Sequence, residues 1–107
     1  MNRRLRKKAE RRRRDQIHKL LDLVLDINGL EPRKQNVTGN LPTAFFEFSG
    51  HIGVVEISVY TKGWHPDADK DKGFWIPSDQ KKLADGIQKL KAVKAETPAA
   101  GTAGESR

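Results

Sequence analysis

The chain has 107 residues, 36% of them hydrophobic and 33% charged, with no cysteine and a formal charge of +7. That length holds one domain with no room for a large internal cavity, and the lack of cysteine excludes disulfides, thiolate zinc sites and a cysteine nucleophile. Apolar runs are only a few residues long and the N-terminus lacks the apolar segment of a signal peptide, so a cytoplasmic location without membrane contact is expected.

The charge is segregated along the chain. Residues 1–14 hold nine basic side chains (Arg3, Arg4, Arg6, Lys7, Lys8, Arg11, Arg12, Arg13 and Arg14) and one acid, Glu10. Their net +8 leaves the other 93 residues at −1, so any attraction for a polyanion belongs to this segment. Arg and Lys are good helix formers and Glu10 can pair with Arg6 and Arg14 at helical spacing. Like-charge neighbours such as Arg4 with Lys8, and positive charge at the positive end of a helix dipole, oppose that tendency. The segment is expected to be a flexible, frayed arm that becomes helical when a polyanion neutralises it.

From Asp15, the apolar positions Ile17, Leu20, Leu21, Val24 and Ile27 or Asn28 recur at helical spacing, and Asn28-Gly29 supplies the stop. Residues 29–43 are a loop rich in Gly, Pro and Asn. Its Asn36-Val37-Thr38 matches a glycosylation acceptor, a match that is empty without a signal peptide. Two strands follow at residues 44–49 and 52–60, joined by Gly50-His51 as a two-residue type II′ turn, which pairs Phe46 with Val55 and Phe45 with Glu56. Phe46, Phe48, Val55, Ile57 and Val59 then share one face, and Phe45, Glu47, Val54, Glu56, Ser58 and Tyr60 the other. A long loop leads to a short third strand at residues 73–76, closed by Pro77. Ser78 is the expected N-cap of a second helix lined by Leu83, Ile87, Leu90 and Val93 or Lys94. Residues 97–107 are expected to be a disordered tail.

The fold class is therefore α+β, in the order α-β-β-β-α. A three-stranded antiparallel meander carries both helices on one face, over a single domain of residues 15–96.

Several groupings bear on function. The basic segment can release condensed counterions from DNA or RNA without reading sequence, and engagement of about six phosphates gives a salt slope of roughly −5. No aromatic residue interleaves it, so it reads backbone charge or groove shape rather than stacking on bases. A solubilising tail, or docking on an acidic protein, is the competing use. On the sheet face left open, Phe45, Tyr60 and Trp75 meet with Glu47 and Glu56 between them. The carboxylates disfavour phosphates, which leaves a protein contact or homodimer interface, or a wetted face with Trp75 turned inward. Lys81, Lys82, Lys89 and Lys91 on the second helix form a secondary basic patch.

Asp67, Asp69 and Asp71 alternate like the start of a calcium loop, but Lys72 stands at its sixth position and Ser78 at its twelfth, so no calcium site is expected. His18, His51 and His65 lack a shared metal spacing, although His65 and Asp67 can meet locally. There is no Gly-rich phosphate loop, no serine elbow and no carboxylate pair with a base, so neither enzyme activity nor a cofactor is expected.

Two resemblances follow from the motifs. Phe46-Glu47-Phe48-Ser49-Gly50-His51, with Val59-Tyr60 and Gly63-Trp64, resembles a family of small uncharacterised bacteriophage and prophage proteins over roughly residues 15–90; it implies a phage origin and no activity. The element order is similar to that of double-stranded-RNA-binding domains, with Lys81, Lys82 and Ala84 resembling their lysine cluster and Asp85 standing where a further lysine is expected. The reading that results is a non-enzymatic phage-type accessory protein binding nucleic acid through its arm. The alternatives are a protein-interaction module, such as a host-factor inhibitor or minor assembly component, and a double-stranded-RNA-binding domain.

Overall fold

A computed structural model describes residues 2–32 and 41–97. Most of the long loop, including the Asn36 motif, and all but the first residue of the tail lie outside them. The architecture is α-β-β-β-α: α1 (Arg3–Asn28), β1 (Thr43–Ser49), β2 (Val54–Tyr60), β3 (Lys72–Pro77) and α2 (Gln80–Glu96). The strands form one antiparallel sheet in the order β1-β2-β3.

The first departure from the sequence reading is the start of α1. No break falls at Asp15: one helix of 26 residues runs from Arg3, so the basic segment is helical rather than a frayed arm. Its N-cap is Asn2, whose side-chain oxygen accepts from the Leu5 amide at 3.0 Å and satisfies one of the donors that helix initiation leaves orphaned. Once the core-bound turns exist, each residue added at their N-terminal end gains a hydrogen bond without a new nucleation cost. That gain opposes the like-charge repulsion. At the other end Gly29, with φ 80°, takes a positive-φ conformation that glycine alone adopts readily and donates its amide to the Leu25 carbonyl at 2.7 Å. Asn28 then ties the helix end to the sheet, its side-chain oxygen accepting from the Ala44 amide at 3.0 Å.

The β1–β2 turn also differs. Phe48 pairs with Val55, Phe46 with Ile57 and Phe45 with Ser58, two positions away from the expected register, and the turn spans four residues, Gly50 to Gly53. Gly53 explains the shift. With φ 64° it cannot continue a strand, and its amide closes the turn on the Ser49 carbonyl at 2.8 Å. A slip of two preserves parity, so the expected faces survive even though the partners change.

The core lies between the sheet and both helices. Leu20, Leu23, Val24 and Ile27 of α1 meet Val55, Ile57, Val59 and Ile76 of the sheet, and Leu83, Ile87, Leu90 and Val93 of α2. The α1 stripe is rotated from the expected one: Leu23 is buried and Leu21 exposed, because the i, i+3, i+4, i+7 row starting at Leu20 faces the sheet. Phe48, expected inside, stands near the hairpin end of β1 and is 47% exposed.

Contacts along the helices fix their relative direction. Gln16 donates to the Gln80 carbonyl at 3.0 Å, Arg13 to the Ser78 carbonyl at 3.1 Å, and Lys94 meets Asp26 at 2.9 Å. The helices are therefore parallel, with both N-termini at one end of the molecule. Ser78 does not cap α2; its amide donates to Gly53 and its carbonyl accepts from Arg13. The cap is Asp79, which accepts from the Lys82 amide at 3.1 Å.

Gly86 marks the closest approach of α2 to β3: a Cβ there falls 2.6 Å from Ile76 Cδ1. Alanine gains about 1 kcal/mol of helix propensity, whereas overpacking a closed core costs about 1–3 kcal/mol. Gly86→Ala is therefore expected to lower the thermal midpoint. Adding Ile76→Val, which removes the offending methyl, should make the alanine less costly in a double-mutant cycle followed by chemical denaturation.

Candidate nucleic-acid interface

Because α1 and α2 come level at Gln16 and Gln80, the turns of α1 before Arg13 extend past the start of α2. These ten residues, 3–12, add roughly 15 Å of helix at 1.5 Å per residue. Arg3, Arg4, Arg6, Lys7, Lys8, Arg11, Arg12 and Arg14 are exposed, and Arg13 is half-buried against Ser78. Helical spacing places Arg4, Lys7, Arg11 and Arg14 in one row, continued by exposed His18. The inward row is Ala9, Arg13, Gln16 and Leu20, all at least partly buried.

The parallel arrangement concentrates positive potential. Each helix N-terminus carries the equivalent of roughly half a positive charge, and both point to the end that bears the cations. No acidic residue lies in the first turn of either helix, which leaves the α1 end uncompensated, whereas the Asp79 carboxylate that caps α2 offsets part of the positive end there. Between α1 and the start of α2 lies a cleft of about 650 Å³, lined by Arg3, Arg6, Lys7, Glu10 and Arg13 on one side and Ser78, Asp79 and Gln80 on the other.

The secondary basic patch divides. Lys81 and Lys82, exposed in the first turn of α2, join the cationic end. Lys89 pairs with Asp85 at 3.1 Å, and exposed Lys91 lies almost three turns beyond Lys81.

On the open sheet face, Phe45 packs edge-on against Tyr60 at 5.7 Å and against Trp64 at 6.4 Å between ring centroids. Trp75 does not join that cluster. It sits on β3 opposite Glu56, which in turn opposes Glu47, so one cross-strand row reads Glu47, Glu56, Trp75. At 62% exposed, Trp75 points outward, which overturns the inward reading. Trp64 is the surface residue that reasoning from strand alternation missed. The signal was Gly63, whose φ of 95° and amide hydrogen bond to the Tyr60 carbonyl at 3.0 Å turn the chain sharply after β2, next to Phe45.

The acidic loop is bound up in its own hydrogen bonds. The Asp71 carboxylate accepts from the Thr61 amide at 2.9 Å and from the Thr61 hydroxyl. Burial pushes its pKa up, but these bonds, with its own amide and the Lys72 charge, outweigh it and hold the carboxyl below its usual value. His65 meets Asp67 as expected, its Nδ1 accepting from the Asp67 amide at 3.2 Å. Among the described residues, no three of His, Cys, Asp or Glu gather as a metal-binding group, and no helix is long and apolar enough to cross a membrane.

Compared with models of known protein families, with curated proteins and with solved structures, the chain matches none.

Glu47 and Glu56 are like charges placed directly opposite each other, an arrangement that destabilises a sheet by about 0.2–1 kcal/mol. Glu47→Gln should therefore raise the thermal midpoint of dilute protein at low salt. The gain should shrink as salt is added, because screening already weakens the repulsion.

Proposed function

We propose that this protein is a non-enzymatic accessory protein that binds DNA or RNA through the cationic helix of residues 3–14. The observation that carries this reading is the helical display of nine cations over residues 3–14, seven of them past the start of a parallel second helix. Phosphates meeting these side chains release condensed counterions, and the dipole of α1, capped by neutral Asn2, favours the same negative charge. A helix about 10–12 Å across suits a major groove about 12 Å wide, and residues 3–14 offer roughly 18 Å of it. With no aromatic residue on this segment, contacts go to phosphates and groove shape. The likeness of residues 46–51 and the following motifs to bacteriophage and prophage proteins supports a phage origin, with action in the cytoplasm of a bacterial host.

The second reading is a protein-interaction module: an inhibitor of a host factor or a minor assembly component, with the arm docking on an acidic protein. Exposed Phe45, Trp64 and Trp75 favour it, since solvated aromatics on an open sheet suit a contact surface. The third, duplex-RNA binding by the fold itself, draws on Lys81 and Lys82 beside the arm.

A fluorescence-anisotropy salt titration with short duplex DNA and duplex RNA separates them. The intact protein should bind with a slope of log K against log salt of roughly −5 if about six phosphates are engaged. Replacing Arg3, Arg4, Lys7, Lys8, Arg11 and Arg12 together by Gln keeps good helix formers and spares the Arg13 contact; binding and most of the slope should be lost. Unchanged binding would overturn the proposal. Retained binding confined to duplex RNA and dependent on Lys81 and Lys82 would support the third reading.

A further inference from the structure

We propose that the open sheet face binds the arginine-rich extension of α1 from a second copy of this chain. In a chain of net charge +7, the outward positions of the three strands carry two carboxylates, Glu47 and Glu56, and no cation of their own; the loop residue Lys70 lays its side chain over Gly73 at one end of β3. The carboxylates oppose each other across β1 and β2, with Trp75 next across the sheet on β3 and the Phe45 cluster two residues along β1. A like-charge pair is costly when alone and becomes a strong acceptor when a cation is placed over it. Trp75 at 62% exposure, Phe45 at 48% and Trp64 at 43% supply ring faces and edges around that pair.

The occupant follows from charge and geometry. Seven of the nine cations in residues 3–14 are arginines. A guanidinium can hold a carboxylate with two parallel hydrogen bonds and stack on an indole, neither of which an ammonium does as well. Side chains three or four apart on a helix have Cβ atoms about 5–6 Å apart, which matches the roughly 4.5–5.5 Å between opposed strand residues. Arg11 and Arg14, neighbours in the outward row of α1, therefore have the spacing to meet Glu47 and Glu56 together. The extension cannot serve its own sheet. α1 packs on the covered face, so reaching the opposite face would require breaking the helix. A second copy meets no such constraint.

Self-association and nucleic-acid binding then compete for one arm, although the contact itself needs no nucleic acid. Sedimentation velocity on the full chain, freed of nucleic acid, tests it. At low salt the protein should associate in a concentration-dependent way, and at about 1 M salt, where the screening length is about 3 Å, it should be monomeric. Glu47→Gln with Glu56→Gln should weaken association at least about tenfold. That substitution removes a repulsion, so the variant should fold, and it should still bind nucleic acid. Two charge-reversed proteins, one carrying Glu47→Lys and Glu56→Lys and the other Arg11→Glu and Arg14→Glu, should each be monomeric alone and associate when mixed. A wild-type chain that stays monomeric at low salt, association unaffected by the double Gln variant, or failure of the reversed pair to associate would each overturn the proposal.

Discussion

The arrangement depends on α1 and α2 lying parallel, held in register by Arg13 on the Ser78 carbonyl and Gln16 on the Gln80 carbonyl. These bonds lie where α1 first meets the fold. The hydrophobic row from Leu20 to Ile27 anchors the helix below them, and the turns above them leave the domain. Helix propagation links the two halves: turns nucleated by core packing are extended outward at one hydrogen bond per residue. Burial thus supports a highly charged segment that buries little surface itself. An antiparallel pair would set the negative end of one helix dipole beside the cations and weaken the positive field there.

Charge is partitioned on the same framework. Cations stand before Arg13 and in the first turn of α2, while Glu47 and Glu56 stand on the side of the sheet away from the helices. A nearly neutral body exerts little long-range pull on a polyanion, so the extension governs encounter and the sheet face matters only at short range. The aromatic cluster is placed by backbone conformation as much as by strand alternation. Gly63 turns the chain immediately after Tyr60 and brings Trp64 beside Phe45, while Asp71 pins the far end of that loop to Thr61.

Much of the fold was legible in the residues. Apolar spacing marks both helices, and alternation marks both faces of the hairpin. Face assignment survived a wrong register because the error was two residues and the strand period is two. Three features were not legible, each for a physical reason. The helix start at Arg3 reflects propagation from a distant core, which no local count of like charges captures. The turn closed at Gly53 because a positive φ was needed there, whereas Gly50-His51 looked sufficient by itself. Capping by Asp79 rather than Ser78 arose because the backbone of Ser78 was claimed by Gly53 and Arg13, both remote in sequence. The basic segment itself was evident from composition, but its convergence with Lys81 and Lys82 required the parallel helix pair.

Backbone chemical shifts of the free protein, residue by residue from Arg3 to Asn28, bear most directly on whether the core carries helix into the cationic segment. Helical shifts should continue without interruption through Arg13 and reach at least Leu5, the residue whose amide is capped by Asn2. Random-coil shifts from Arg3 to Arg12 with helix beginning near Asp15 would show charge repulsion winning over propagation, and would remove the preformed cationic helix on which the proposed interfaces rest.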